Sequence, residues 1–367
     1  MSFHNNQGMD NVIPIAESLS KNSEYKITLL DLRSLYSQQL SEIKISDNIS
    51  VVKERSIFTN IRNLKKPSKL LFLFTKFFTI RKYEQKYDIY IFSPGGFYEG
   101  LLSKKFNKKF KNTYFIEAGV KIYLYLDSQE DLKPKNKFLK NVSGYFTTGE
   151  NPKNKLENFT NQKNSIYNFG VPRYSKMVTK HKISESYKPQ NIRNLLYLTS
   201  AASYHNIKWE DSWQTKIISE IVNSDLIEKY ILNIKIHPRD DYEKYKNYEG
   251  LKNVKILNAT DIEIDVENND CIISGPSSSV HEVPFLGKLY TLLWPFDNYE
   301  NEYLSSESLV KNVEDLNRRI SKLNNDLTFQ NNLFSIQLLK AQKFINIDSD
   351  FSTKNIIEHI INENRER

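Results

Sequence analysis

The sequence predicts an α/β protein of two domains, each built around a parallel β-sheet, and three observations carry this prediction. The chain has 367 residues, which is too long for one typical α/β domain and comfortable for two. Apolar runs of strand length alternate with helical stretches throughout, as they do where helices connect parallel strands. Small polar residues follow several of these runs, and ligands bind beyond the carboxyl ends of such strands. We therefore expect two Rossmann-like halves whose sheets face a cleft.

In the first half, apolar runs bounded by polar residues predict strands. We expect strands at residues 26–30, 88–92, 113–117, 144–148 and 166–169, and a helix at 11–20. A Rossmann half normally opens with a buried strand before its first turn, whereas this sequence begins close to the turn-like residues 5–8. The first strand of this half is therefore expected to be absent, through either a late start codon or a sheet shortened at its centre.

The second half continues the pattern. We expect strands at residues 195–199, 231–237, 254–257, 271–274 and 289–293, and helices at 213–223, 280–286, 313–324 and 329–345. The boundary between the halves should lie in the stretch from Val171 to Arg193, which contains Pro172 and Pro189 and has no strong periodicity. We assign the domains to residues 1–178 and 193–345, followed by a C-terminal helix at 346–367.

The composition is that of an ordinary globular protein, with 39% hydrophobic and 26% charged residues and a net charge of +8. The single cysteine, Cys271, lies in an apolar run, so no intrachain disulfide can form and a buried structural thiol is expected. No secretory signal is visible, and no apolar run reaches the roughly 18 residues of a membrane-spanning helix. No nucleic-acid-binding module and no metal-ligand spacing is visible, and we expect no cofactor.

A His-Pro element ends one predicted strand of the second half. His237, Pro238 and Arg239 follow the apolar residues at 231–236. An imidazole and a guanidinium at a strand end can donate charge-assisted hydrogen bonds to a phosphate. In the alternative interpretation, His237 caps the strand end without a ligand, and Arg239 pairs with one of the two aspartates that follow it.

A serine-rich turn follows a second predicted strand. Ser277, Ser278 and Ser279 offer hydroxyls, and Gly275 permits a close approach to the backbone. Free N–H groups at the start of a helix bind anions, so the turn and the His-Pro element together predict a site for a nucleotide phosphate. Alternatively, Ser279 and Glu282 have the spacing of a capping box. Glu282 could also accept hydrogen bonds from a ribose, as acidic residues do in other Rossmann sites.

In the first half, Glu117 ends a predicted strand and precedes Ala118 and Gly119. A carboxylate at a strand tip beside glycine is placed to act as a general base, and the alternative is a solvated glutamate at a strand end. Gly95 and Gly96 also follow a predicted strand, where they could contact a ligand or form a tight turn.

The segment between Lys65 and Lys86 mixes aliphatic and aromatic residues with lysine and arginine. Such a segment is typical of a helix at a membrane surface, where cations meet anionic lipid and aromatics enter the acyl boundary. The alternative is a buried helix with a basic outer face. We expect peripheral contact with an anionic membrane.

His237-Pro238 and the downstream Ser277-Ser278-Ser279, ending in Glu282, resemble the motif pair of GT-B bacterial sialyltransferases and polysialyltransferases, including family 52 glycosyltransferases. The stretch ending in Glu117-Ala118-Gly119 resembles their acidic-glycine base motif, with Ala118 where a second acidic residue is common. The resemblance implies a GT-B fold in which residues 1–178 bind the acceptor and residues 193–345 bind the nucleotide donor. It also implies that the His and Ser elements hold CMP and that the glutamate deprotonates the acceptor hydroxyl.

The resemblance implies a metal-independent, inverting glycosyltransferase at the cytoplasmic face of a bacterial inner membrane. Its donor would be CMP-activated sialic acid or a Kdo-like acidic sugar, and its acceptor a surface polysaccharide or lipooligosaccharide. Three alternatives stay open. The chain could be a CDP-glycerol or CDP-ribitol phosphotransferase, a UDP-sugar transferase or epimerase, or a non-catalytic GT-B scaffold subunit. The epimerases usually have a Gly-Gly pair where this chain has Ser277-Ser278.

Overall fold

A computed structural model of the chain describes residues 1–33, 42–53, 87–94, 99–100, 102–103, 112–120, 142–160, 165–183, 187–200, 208–258, 260–275, 277–294 and 305–365. These residues form two compact units. The first comprises residues 1–178 and 344–367, and the second comprises residues 179–343. The predictions for Gly95, Gly96 and the segment between Lys65 and Lys86 lie outside the described residues.

The first unit contains a parallel sheet with the strand order β3-β2-β1-β4-β5-β6-β7. Its strands are β1 (Ser2–Phe3), β2 (Thr28–Asp31), β3 (Ser50–Lys53), β4 (Tyr90–Phe92), β5 (Thr113–Ile116), β6 (Gly144–Phe146) and β7 (Ile166–Tyr167). Its helical elements are α1 (Asn6–Ser20), α2 (Glu150–Thr160), the 3₁₀ helices Pro172–Tyr174 and Ser349–Phe351, and α9 (Ser352–Arg365). Helix α3 (Ser175–Ile183) continues along the chain into the second unit.

The first strand, β1, occupies the central position of this sheet. Ser2 pairs with Leu30 on one side and with Phe92 on the other. Both residues of β1 are fully buried. The prediction that the first strand is absent is therefore wrong, but the strand has only two residues, which agrees with the predicted alternative of a sheet shortened at its centre. Two residues are too few to produce a periodic hydrophobic signal, so the neighbouring strands define this element.

Helix α1 begins earlier than predicted because its first turn is capped. The side chain of Asn5 accepts the backbone N–H of Gly8 at 2.8 Å, which satisfies one of the unpaired donors of the first turn. The apolar face of the helix, including Val12, Ile15 and Ala16, is completely buried. This burial fixes the loop between β1 and α1 at the carboxyl edge of the sheet.

The second unit contains a parallel sheet with the strand order β10-β9-β8-β11-β12-β13. Its strands are β8 (Asn194–Leu198), β9 (Ile231–Lys235), β10 (Val254–Leu257), β11 (Cys271–Ser274), β12 (Leu289–Leu293) and β13 (Leu309–Val310). Its helices are α4 (Lys208–Val222), α5 (Leu226–Lys229), α6 (Ile262–Glu267), α7 (Val313–Asn325) and α8 (Leu327–Gln342). Its 3₁₀ helices are Tyr242–Lys244, Lys246–Tyr248, Ser278–His281, Val283–Leu286 and Ser306–Ser308.

The expected α-helix at 280–286 is two short 3₁₀ helices instead. Pro284 accounts for the interruption, because it has no N–H to donate and its ring clashes with the carbonyl of an α-helix four residues before it. Only short helical turns therefore follow the serine-rich turn, and the dipole of a long helix does not contribute there.

Cys271 is fully buried in β11, as predicted, and burial raises the pKa of its thiol to about 12. The thiol therefore stays protonated at neutral pH. Within the described part of the chain, no helix combines the length and apolar character needed to cross a bilayer.

Candidate functional site

The centre of the second sheet is a topological switch point. Leu198 of β8 pairs with Lys235 of β9 on one side and with Ser274 of β11 on the other. From β8 the chain moves outwards through β9 to β10, and β11 then returns to the opposite side of β8. Ligands of open parallel sheets bind at such a point, beyond the carboxyl ends of the strands. Because neighbouring strands lie about 4.8 Å apart, the ends of β9 and β11 are separated by about 10 Å.

Both predicted phosphate elements leave the sheet at this edge. His237 follows the end of β9, and Gly275 follows the end of β11. Thr199 and Ser200 follow the end of β8, which lies between β9 and β11. The fold therefore brings the His-Pro element and the serine-rich turn to opposite sides of one strand end.

The orientation of His237 is set by contacts of its own turn. Its Nδ1 accepts the backbone N–H of Arg239 at 3.1 Å, and its own N–H donates to Thr199 Oγ1 at 2.8 Å. A ring nitrogen that accepts a hydrogen bond carries no proton, so the neutral ring is protonated at Nε2. The histidine therefore caps its own turn through Nδ1. The ring is half-buried, while Pro238 and Arg239 are exposed.

The aspartates after Arg239 have structural partners. Asp240 lies 3.2 Å from Lys244 Nζ and accepts the hydroxyl of Tyr245 at 2.6 Å. Asp241 caps the 3₁₀ helix Tyr242–Lys244 by accepting the N–H of Glu243 at 3.1 Å. Both carboxylates therefore stabilise the segment that carries His237.

The serine-rich turn is capped by a different residue from the one predicted. Ser277 Oγ accepts the N–H of Ser279 at 3.4 Å, so Ser277 is the N-cap of the 3₁₀ helix Ser278–His281. The capping box of Ser279 and Glu282 is therefore wrong, because Glu282 lies beyond the end of this short helix. Ser277, Ser278, Ser279 and Glu282 are all half-buried.

Two buried hydroxyls beside the switch point are further candidates. Among the described residues, Ser200 Oγ and Ser274 Oγ are buried and have no hydrogen-bond partner. A buried hydroxyl without a partner costs free energy unless a ligand or water satisfies it. A Cβ at Gly275 would lie 3.1 Å from the ring of Trp213, so the glycine at this position leaves room for that ring. We did not predict Ser200 from the sequence. The signal was available, because Thr199 and Ser200 form a pair of hydroxyl residues after a buried strand, as the serine-rich turn does.

In the first unit, Glu117 is fully buried at the end of β5, so the alternative of a solvated glutamate is wrong. Its Oε2 accepts the backbone N–H of Thr148 at 3.1 Å and the hydroxyl of the same residue at 3.3 Å. Its Oε1 is buried and has no hydrogen-bond partner in the described ranges. One oxygen is therefore anchored, and the other lacks a donor.

Asn11 of α1 holds the backbone around Glu117 in place. Its Nδ2 donates to the carbonyl oxygen of Glu117 at 2.9 Å and to Ser93 Oγ at 3.1 Å, and its Oδ1 accepts the N–H of Arg173 at 3.0 Å. Gly119 lies nearby, and a Cβ at this position would be 3.0 Å from Arg173 Nη1. A single buried amide thus links the ends of β4 and β5 with the segment before α3.

No group of three or more His, Cys, Asp or Glu side chains that could hold a metal ion occurs in the part of the chain that the structure describes. In the turn after β9, Arg239 is exposed, and Lys244 lies 3.2 Å from Asp240 Oδ1.

Neither protein-family profiles nor curated protein sequences match the chain significantly. Solved structures match it over nearly its whole length. The complex of S. aureus MnaA with UDP has a TM-score of 0.62 and 12% sequence identity, with 99% of this chain and 96% of MnaA covered. The UDP-GlcNAc 2-epimerase of Methanocaldococcus jannaschii has a TM-score of 0.59 and 14% identity, with 98% of each chain covered.

The wall teichoic acid polymerase TagF, in a histidine-to-asparagine variant soaked with CDPG, has a TM-score of 0.61 and 13% identity. This match covers 100% of this chain and 88% of the TagF chain. At these identities the comparisons establish the fold. The chain consists of two parallel-sheet α/β domains of the GT-B type, as predicted.

Proposed function

We propose that this chain is a nucleotide-dependent transferase whose second unit binds the donor phosphate between His237 and the serine-rich turn. The observation that carries the proposal is the placement of both elements beside the end of β8, at the switch point of a parallel sheet. The partnerless hydroxyls of Ser200 and Ser274 at the same edge support it. The solved structures of similar fold with UDP and with CDPG also support a nucleotide ligand.

The reaction proposed is glycosyl transfer with Glu117 as the base. The acceptor hydroxyl oxygen forms a bond to the anomeric carbon of the donor sugar, and its proton passes to Glu117 Oε1. The bond between the anomeric carbon and the phosphate oxygen breaks, and the nucleotide leaves with that electron pair. His237 Nε2–H, Arg239 and the serine hydroxyls stabilise the charge that develops on the phosphate, so the scheme assigns no step to a metal.

The donor proposed is a CMP-activated acidic sugar, and the acceptor proposed is a glycan or glycolipid of the bacterial surface. Glu282, half-buried just after the serine-rich turn, is proposed to accept hydrogen bonds from the ribose. Peripheral attachment to an anionic membrane through the segment between Lys65 and Lys86 stays a prediction.

A second candidate is the transfer of a polyol phosphate from a CDP-polyol. The similarity to TagF with CDPG over the whole chain favours it. The two candidates differ in the bond that breaks, because a phosphotransferase cleaves the bond between phosphorus and the bridging oxygen, and its product is a phosphodiester.

³¹P NMR distinguishes the two candidates. The protein is incubated with a bacterial surface glycan as acceptor and with CMP-sialic acid or CDP-glycerol as donor in the presence of EDTA, with His237→Ala as a control. We expect CMP to be released from the CMP-sugar and not from CDP-glycerol. We also expect this release to be lost in His237→Ala. Release of CMP from CDP-glycerol with a new phosphodiester signal would establish the second candidate instead. If the variant consumes either donor as fast as the wild type, His237 has no part in the reaction.

A further inference from the structure

The turn that carries His237 rests on a buried hydrogen-bond network that the proposed reaction does not use. Its centre is Asp240, whose side chain is 0% exposed. Asp240 Oδ1 accepts the N–H of Asp241 at 2.9 Å, and Oδ2 accepts the Tyr245 hydroxyl at 2.6 Å and Gln214 Nε2 at 3.2 Å. Lys244 lies 3.2 Å from Oδ1 and balances the charge. The carboxylate is therefore saturated with donors, as a buried charge requires.

The network reaches both strand ends of the site. The backbone N–H of Asp240 donates to the carbonyl oxygen of His237 at 2.8 Å, which closes the turn. Gln214 Oε1 accepts the N–H of Ser200 at 2.6 Å, so one amide joins the end of β8 to the turn after β9. Gln214 is 3% exposed, and its Nε2 also donates to Tyr245 Oη at 2.9 Å. Every polar atom of the amide is engaged, so its orientation is fixed.

Tyr245 is a permanent donor to this network. It is fully buried, and burial together with its hydrogen bond to Asp240 raises the pKa of its phenol above the usual value. The hydroxyl therefore stays protonated at neutral pH, and Asp240 keeps its partner.

We propose that Asp240 and Gln214 are positioning residues for His237, which hold its turn so that the neutral ring carries its proton on Nε2 and presents it to a phosphate. The physical link is the backbone N–H of Arg239, which reaches Nδ1 only while the 237–240 turn is closed. This positioning role deepens the proposed function. Its test by nucleotide affinity rests on that proposed function. Its tautomer readout does not depend on that function.

The test compares two buried aspartates of the same unit. Asp240→Asn removes the charge at the centre of the network. The matched control is Asp265→Asn, because Asp265 is also buried, accepts Thr260 Oγ1 at 2.5 Å and pairs with Lys235 Nζ at 3.0 Å, two residues before His237 in the chain. Both variants are expected to lower the melting temperature, and only Asp240→Asn should alter the site.

Two quantities are measured for each variant. Long-range ¹H–¹⁵N spectra of ¹⁵N-histidine-labelled protein at about pH 8.5, where an ordinary histidine is neutral, report the tautomer, and His237→Gln assigns the signal. Titration calorimetry with CMP and CDP reports affinity. We expect a single Nε2–H tautomer in the wild type and in Asp265→Asn. Asp240→Asn should give a mixture of tautomers and a loss of affinity of about tenfold.

A single Nε2–H tautomer in Asp240→Asn, with the affinity unchanged, would overturn the inference. If the tautomer changes while the wild type binds neither nucleotide, the positioning role stands and the proposed function fails. Should Asp240→Asn not fold, Tyr245→Phe removes one donor hydroxyl and should shift the tautomer in the same direction by a smaller amount. An unchanged tautomer in that variant also overturns the inference.

Discussion

Thr199 Oγ1 accepts the backbone N–H of His237 at 2.8 Å and so joins the ends of β8 and β9. The backbone N–H of Thr199 in turn donates to the carbonyl oxygen of Lys235 at 3.0 Å, which extends the pairing of the two strands by one residue. The position of His237 therefore depends on a residue of the neighbouring strand end. Several consequences of this arrangement can be measured.

Thr199→Val should loosen the His237 turn. Valine has the shape of threonine but no acceptor, so the N–H of His237 loses its partner at a cost of about 1–3 kcal/mol. Urea unfolding should show this loss, and calorimetry should show weaker nucleotide binding. The control is Thr291→Val in β12, because Thr291 is also buried and its hydroxyl lies 3.9 Å from Cys271 Sγ. Equal effects of the two substitutions on nucleotide affinity would contradict the role of Thr199.

Glu117→Gln should separate catalysis from stability. The glutamine carbonyl can accept the two hydrogen bonds from Thr148 but cannot take a proton, so turnover should fall by about 100-fold or more while nucleotide affinity is kept. The stability change should stay within about 1 kcal/mol, because no anchored contact is lost. Donor turnover followed by ³¹P NMR, beside a urea unfolding curve, measures both. A fully active Glu117→Gln would remove this residue from the mechanism.

Gly8→Ala should destabilise the first unit severely. A Cβ at this position would lie 1.9 Å from the carbonyl oxygen of Ser93, which is backbone and cannot move aside cheaply. We expect a loss of about 3 kcal/mol or more, at the upper end for overpacking. Gly119→Ala is the control in the same unit, since its Cβ would meet the side-chain ends of Arg173 and Tyr174 at 3.0 and 3.1 Å, and these can shift. If both variants melt at the same temperature, the packing of α1 against β4 is not as described.

His281 should make stability depend on pH. Burial, with a smaller contribution from Lys340, lowers the pKa of this fully buried histidine from 6.5 to about 3. Between these values the unfolded chain binds a proton that the folded chain does not, so stability is fully present above pH 6.5 and falls as the pH decreases.

The slope that this histidine contributes approaches about 1.4 kcal/mol per pH unit. Urea unfolding at several pH values between 4 and 7 should show a shallower dependence for His281→Leu than for the wild type. Parallel curves for the two proteins would show that His281 does not titrate as expected.

The sequence predicted the second unit well because its strands are largely apolar. The residues at 271–273 are buried on both faces of the sheet, which is the pattern of a parallel strand between helices. In β9, Leu232, Ile234 and Ile236 are buried, while Ile231 and Asn233 are half-buried. Since carboxyl ends of parallel strands share one edge, the positions of His237 and the serine-rich turn followed from the same reasoning. The contacts that orient the histidine ring could not be predicted, because they join residues on α4, β8 and the turn after β9.

Short or interrupted elements were harder to predict. The Ser2–Phe3 strand exists because two neighbouring strands pair with it, and no local pattern marks it. Pro284 could have indicated the break in the predicted helix, since proline inside such a segment usually ends it. Helix α6 was missed because Asp261, Glu263 and Asp265 alternate with apolar residues, which suggests a strand rather than a helix. In the structure Asp261 caps the helix, and Asp265 is buried beside Lys235.

The central claim is that the second unit holds a nucleotide phosphate beside His237. A thermal-shift screen of the purified protein against CMP, CDP, UDP, UMP and GDP, with EDTA present, tests it most directly. A ligand at 100 times its dissociation constant stabilises the folded state by about 2.7 kcal/mol, which raises the melting temperature measurably. We predict an increase with cytidine nucleotides that is lost in His237→Ala. No increase with any nucleotide, or the same increase in the variant, would contradict the account.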